Sequence, residues 1–363
     1  MPALLDLVRV ISTTTGTGTI TLGSAVQGFL TEVLAGAVDG QIYSYAIEGS
    51  YVAAGDEFVA SARETGIGTY TASGRTLTRT VQFSTNSNAA LNLTGDQQVI
   101  ITNLTSSLRE KLTAARTYYV RTDGSNSNSG LVDSAGGAFL TIQKAIDVVA
   151  ALDIATFNVT IQVRDGTYTG ANTVTGPWIG SGNVTVLGNT GTPSNVVISV
   201  TGGNCFRATA GGRLQISGMR LTTTTSGDGV VVDTYGVVRA TGPLNFHTCA
   251  WYHIDCVGGS FFSDGQNHTI TGGAFCHYQC TAGVIRVENS TNTGSGTFSF
   301  GIAFALVNGS GSIMSSSSFT GGTITGTRHT IQGNSNIHTN GQSAATWFPG
   351  DVAGSHSTAP EWT

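Results

Sequence analysis

The sequence predicts an all-β protein: a right-handed parallel β-helix with an N-terminal cap helix, preceded by a small, separate β-rich N-terminal domain. Three observations lead there. Glycines recur at a spacing near one β-helix coil through the second half of the chain, apolar residues hold fixed places after them, and charge is scarce. Charged residues make up 10% of the 363, against roughly a quarter in ordinary soluble domains. Glycine takes 50 positions, and Ser, Thr and Asn fill most remaining polar places, so the exterior must be built of hydroxyls and amides. Such a chain favours short strands joined by tight turns over charged helices. With 39% hydrophobic residues and a net charge of −5 it holds the material of a core, which weighs against disorder.

Residues 1–102 read as alternating strands punctuated by Gly and Asn, at 5–12, 18–22, 41–47, 57–62, 68–72, 76–83 and 97–101. Leu104, Leu108 and Leu112 then recur every fourth residue, with Arg109, Glu110 and Lys111 on other faces. This predicts a linker helix over 103–116, too short to be stable alone. Two partners remain open for it: its own domain, or copies of itself in a short trimeric bundle. The β-helix is expected over 117–340, with an amphipathic cap helix near 139–152 that presents Ile142, Ile146 and Val149 on one face and starts near Thr141. Residues 341–363 form a C-terminal extension.

The repeat itself runs through Gly212, Gly236, Gly259 and Gly283, separated by 24, 23 and 24 residues. Two places after each glycine stand Leu214, Val238, Phe261 and Ile285, predicted to form one buried core ladder. Four places after stand Ile216, Ala240, Ser263 and Val287, where Ser263 alone breaks the apolar column. Gly309 and Gly333 continue the series, placing Ile313 and Ile337 in this second column. A propeller blade would need a longer repeat.

Several function classes are disfavoured. Lys and Arg are scattered, so nucleic acid has no basic footprint to meet. Met1–Val10 lacks the cationic start of a secretory leader. The apolar stretch Ala25–Val38 is broken by Gln27 and Glu32, and Ile142–Ile161 by Lys144, Asp147 and Asp153, so membrane insertion is not expected. The five cysteines are odd in number and confined to the second half, which is no disulfide framework and suits synthesis in a reducing compartment.

Columns of the repeat identify neighbours on adjacent coils. Asp264 and Glu288 would stack about 5 Å apart, the separation that retaining glycosidases use for nucleophile and acid. They are the candidate catalytic pair if the protein is an enzyme. Arg286 shares a strand with Glu288, and His268 follows Asp264. Their plainer role is that of turn residues. His253 and His277 share another column and could hold a transition metal, but no third ligand completes a set; polar stacking at the surface is the simpler expectation, with no metal or other cofactor. Cys256 and Cys280 share a third, as an inward ladder of thiols or, if their side chains face, a disulfide. Trp251 and Tyr252, in an aromatic set with Phe261, Phe262, Phe275 and Tyr278, are the candidate surface contacts for a carbohydrate.

The stretch Tyr118–Gly130, followed by Thr141-Ile-Gln-Lys-Ala-Ile-Asp147 and Val159-Thr-Ile-Gln-Val-Arg-Asp-Gly-Thr-Tyr168, resembles the beginning of the pectin-lyase-like β-helix. Within that superfamily the arrangement is similar to the β-helical fibres and spikes of tailed bacteriophages. Gly66-Ile-Gly-Thr-Tyr-Thr-Ala-Ser-Gly74 with Leu77-Thr-Arg-Thr80 resembles the virion-anchoring domains of phage and prophage fibres, and Trp347-Phe-Pro-Gly350 with Ala353-Gly354 the ending of some of them. The resemblance implies a homotrimeric virion protein of tail, neck or head. It would be made in the host cytoplasm, held to other virion proteins through residues 1–102, and turned toward a host surface glycan. A non-enzymatic fibre or spike is the expected function. A polysaccharide depolymerase, hydrolase or lyase, is the rival, and a purely architectural virion component a third. The lyases of the superfamily gather acids around calcium, and no such gathering exists in this sequence.

Overall fold

The computed structural model describes residues 3, 5–49, 62–95, 97–101, 109–341 and 343–357. The chain divides into two compact units, Met1–Arg109 and Glu110–Thr363.

The first unit is an antiparallel sheet in the order Val8–Ser12, Gln97–Ile101, Ile42–Glu48, Arg63–Thr71, Thr76–Leu77, Ile20–Thr21, with Thr80–Ser84 also paired to Arg63–Thr71. Alternation places Val8, Val10, Tyr43, Tyr45, Ile47 and Val99 in its core. The strand expected at 57–62 falls, but for Ala62, outside the described residues. The Gly66-Ile-Gly68 motif has a steric cause. A side chain at Gly66 would strike the Thr80 carbonyl and the Tyr45 hydroxyl, and one at Gly68 the Thr78 carbonyl and Leu77. Beneath the sheet Glu64 and Arg79 form a buried ion pair, with side chains 0% and 2% exposed. Glu64 also accepts from the Tyr45 hydroxyl at 2.8 Å and the Leu91 amide at 2.8 Å.

The helix expected over 103–116 is corrected in its described part. Residues 102–108, with Leu104 and Leu108, lie outside the described residues, but 109–115 are not helical and Arg116–Val120 is a strand. The Leu112 amide donates to the Asp153 carbonyl at 2.8 Å, and its side chain is buried among the first coils. A leucine that completes a solenoid core is not available to a helical stripe.

The second unit is a parallel β-solenoid of about eight turns. Among the described residues most of its strands stack into three sheets of nine, seven and eight strands, called here first, second and third, and Thr297–Ser299 pairs with Thr323–Thr325 apart from them. Leu214, Val238, Phe261 and Ile285 stand in register on successive strands of the first sheet, all buried. Ile313 and Ile337 correct the sequence reading: they continue this same column and not the next one. The equivalent glycine is Gly311, not Gly309, because this coil is longer. Tyr278 pairs with Ala305, three residues beyond the usual spacing, and Val284 with Ser312, one more. The glycine is required by close approach. A side chain at Gly212, Gly236, Gly259 or Gly311 would meet the carbonyl of Val174, Ala208, Val232 or Cys280 on the preceding coil. The residue before each takes a positive φ, as at Gly211, Tyr235, Gly258 and Ser310, which turns the chain from the third sheet into the first.

The helix α1 (Ile142–Ala150) covers the first coil. Thr141 Oγ1 accepts from the Lys144 amide at 3.2 Å as N-cap, and Ile142, Ala145, Ile146 and Val149 are buried against the solenoid core. Gln143 pairs with the open edge of the third sheet: its Oε1 accepts from the Thr173 amide at 2.6 Å and its Nε2 donates to the Thr173 carbonyl at 3.1 Å. The edge of the first sheet is met by Phe139, whose amide donates to the Tyr119 carbonyl and whose carbonyl accepts from the Arg121 amide. In the later coils the buried Phe348 stacks on Phe304 with centroids 5.6 Å apart, and Trp347 Nε1 donates to Ser315 Oγ at 3.1 Å.

Candidate binding face

Asp264 and Glu288 lie opposite one another at the ends of the strands Ser260–Asp264 and Val284–Glu288. Each is already engaged. Asp264 Oδ1 accepts from Asn289 Nδ2 at 2.8 Å, and Glu288 pairs with Arg286 Nε at 3.0 Å. Glu288 also lines a depression with Ser316 and His338. Arg286 and Arg239 both lie over the ring of Phe262, at 5.8 and 5.1 Å, as a column on the outer face of the first sheet. His268 does not join this group. It is buried, with Nδ1 accepting from the Leu244 amide at 3.1 Å and Nε2 donating to Ser263 Oγ at 2.8 Å. That bond accounts for Ser263, the one break in the apolar column: a buried imidazole needs a hydroxyl there.

The histidine column is interior, which corrects the expected surface stacking. His253 and His277 are buried with their Nδ1 atoms 2.8 Å apart, one ring donating and the other accepting. Phe246, Phe300 and Phe304 pack around them. Burial pushes His253 down to about 3 and His268 to about 4, and holds His277 well below the ordinary range, so all three rings are neutral. Among the described residues no three His, Cys, Asp or Glu side chains converge as a metal site. Cys256 and Cys280 stand in register with free thiols in the core, and burial pushes both thiols up, Cys256 well above its ordinary value. Such thiols are poor nucleophiles.

Trp251 and Tyr252 open onto the surface. Trp251 is 46% exposed and belongs to a column that sequence spacing only half reveals. The Phe275 amide donates to the Trp251 carbonyl and the Ile302 amide to that of Phe275, and these side chains are 45% and 43% exposed. The rings of Tyr252 and Phe275 meet edge to face at 6.2 Å. Ile302 escapes a 24-residue reading because the three extra residues precede it.

Beside this apolar ridge runs the outer face of the third sheet, which sequence reasoning missed. Val231, Asp255, Gln279 and Leu306 stand there in register. The first three are spaced by 24 and were legible as a column; nothing in the sequence marked its burial. Burial first, then the nearby charges of Asp228 and Asp233, push Asp255 up to about 7. Burial raises Asp228 to about 6, although its carboxylate accepts from the Tyr252 amide at 2.8 Å.

Fold and surface together define a β-solenoid joined to an antiparallel β-sheet unit. No family model matches the chain, and no curated protein or solved structure matches it.

Proposed function

We propose that the chain is a non-enzymatic structural protein of a bacteriophage particle, a trimeric fibre or spike of tail, neck or head. It attaches through the N-terminal β-rich unit and projects the solenoid for contact with a host surface. The observation that carries this reading is the succession of a compact antiparallel unit and a parallel solenoid of about eight turns in one chain. The low-charge Ser, Thr and Asn exterior suits lateral packing of three copies, and the Trp251–Phe275–Ile302 ridge suits contact with another surface. Gold-labelled antibody against the chain should mark appendages on purified particles; particles without label, or with label only inside the shell, overturn the reading. Sedimentation should give a trimer, and a stable monomer at micromolar concentration would contradict it.

The rival reading, a polysaccharide depolymerase, is favoured by the register of Asp264 with Glu288 and by the depression beside Glu288. Against it, both acids are held by neighbours at strand ends. Asp264→Asn combined with Glu288→Gln is expected to leave polysaccharide integrity and infection unchanged, because neither acid is asked to transfer a proton. Release of reducing ends by the purified protein, abolished in the double variant, would reverse the choice.

A further inference from the structure

We propose that a cleft at the corner between the third and first sheets, lined by Arg213 and Arg239, binds a negatively charged sugar: a small ring carrying a carboxylate or phosphate group. The cleft encloses about 210 Å³ between Trp178, residues 181–184, Arg213, Gln215 and Arg239. Pockets that enclose whole drug-sized molecules run to roughly 300–1,000 Å³, so this one takes a single ring and leaves the rest of a ligand outside. Such a site adds a ligand class to the host-surface contact proposed above and does not depend on it. Labelled particles test that reading; titration of the purified chain tests this one.

The repeat brings the donors together. Leu214, Ile216, Val238 and Ala240 face the core, so Arg213, Gln215, Val237 and Arg239 alternate with them on the outer face. Arg213 stands opposite Val237, and Gln215 opposite Arg239. The two arginines are therefore diagonal neighbours, about 8 Å apart at Cα from the strand and coil spacings. Trp178 follows the strand Asn172–Thr175 and is 7% exposed. Its Nε1 donates to the Arg213 carbonyl at 2.5 Å, which ties the wall of the cleft to the strand that carries Arg213. Gln215 Oε1 accepts from Thr185 Oγ1 at 2.9 Å. Its Nε2 and the Asn183 side-chain amide have no protein partner among the described residues.

Charge then selects the ligand. Arg116, Arg121, Arg164, Arg207 and Arg286 of the solenoid unit each pair with a carboxylate. Among the described residues Arg213 and Arg239 pair with none, and no acid lines the cleft. Arg239 rests over the Phe262 ring at 5.1 Å, a contact that spends none of its N–H donors. In a chain of net charge −5, two uncompensated guanidinium groups on one face reverse the sign locally. They repel a cation and present forked donors that match a carboxylate or phosphate. A bare anion would need nothing more. The cleft adds the Gln215 and Asn183 amides, which suit hydroxyl groups, and the Trp178 ring as an apolar wall. That mixture fits an anion carried on a hydroxylated ring.

Calorimetric titration of the full chain with glucuronate, glucose 6-phosphate, methyl glucoside and inorganic phosphate, at about 50 mM and about 500 mM salt, tests this. One or both charged sugars should bind, and several-fold more weakly at the higher salt. Methyl glucoside and inorganic phosphate should each bind about tenfold or more below the better charged sugar. Preference for glucuronate assigns a carboxylate, and preference for glucose 6-phosphate a phosphate. Arg213→Gln and Arg239→Gln change exposed side chains, so melting should stay at the parent value while affinity falls about tenfold in each. Arg207→Gln, on the third sheet, should bind as the parent does. Gln215→Ala keeps both cations and should still lose affinity several-fold, which a diffuse basic patch would not. Binding of neither charged sugar, inorganic phosphate as tight as the sugar phosphate, or affinity indifferent to both arginine substitutions or to Gln215→Ala would overturn the proposal.

Discussion

Replacing Ile285 with Asp is expected to unfold the later coils of the solenoid. The side chain is fully buried, stacked between Phe261 and Ile313 on the neighbouring coils. The substitution forfeits about 2 kcal/mol of apolar burial. It then places a carboxyl group where nothing can pair with it, at a further cost of several kcal/mol whether the group stays charged or takes a proton. Domains hold only about 5–15 kcal/mol in total, and in a stacked array each coil depends on its immediate neighbours. The loss therefore falls on the coils around Ser260–Asp264 and Ser312–Ser315. Hydrogen exchange should show protection lost there while the antiparallel unit keeps its own. Ile285→Val should cost only about 0.5–1.5 kcal/mol, and Val284→Thr, on the outward side of the same strand, about 0.5 kcal/mol or less. Native melting of the Asp variant would show that this column is not the core.

The second large effect is expected at Glu64. Its carboxylate accepts from Arg79, from Tyr45 and from the Leu91 amide, and both charged partners are out of solvent. Glu64→Gln keeps the shape but leaves the Arg79 cation buried without a counter-charge, a loss of about 3–5 kcal/mol in the antiparallel unit. The pH dependence has a definite sign. Burial alone would raise the pKa of Glu64, but the Arg79, Leu91 and Tyr45 hydrogen bonds outweigh it and hold the group below its ordinary value of 4.5. The folded value lies below the unfolded one, so this stabilisation is complete above about pH 4.5 and is lost as pH falls through the folded value. Thermal melts from neutral to acid pH should show that loss in the native protein, and its reduction in the Gln variant. Equal melting of the two proteins at neutral pH would remove the ion pair from the account.

The solenoid was legible because its period is carried by steric necessity. The glycines at 212, 236 and 259 leave no room for a side chain under the coil above, and the apolar columns follow them. The reading slipped where the period changed. With extra residues ahead of Ala305, the sequence offered Gly309 as readily as Gly311, and only the pairing of Ile285 with Ile313 decides between them. The histidines misled through parity. At the corner leading into Cys276–Thr281, the amides of His277 and Tyr278 both donate to the Phe304 carbonyl, so two successive side chains turn inward and strict alternation fails. The spacing of Leu104, Leu108 and Leu112 misled at its last member, because Leu112 is buried in the solenoid core. For the binding face, Trp251 and Tyr252 were visible as aromatics. The acceptors beside them, Asp255 and Gln279, were not, because a lone acid and a lone amide in a polar chain carry no mark of burial.

The pairing of Gln143 with Thr173 has a consequence for how such a molecule stays finite. A stack of parallel coils is a one-dimensional crystal whose growth face exposes the template for the next layer. One side-chain amide, presenting acceptor and donor to that face as a peptide group would, occupies the lattice site without offering one of its own. Held on a capped helix, Gln143 fills that place at Thr173, so a further strand cannot pair there without displacing it.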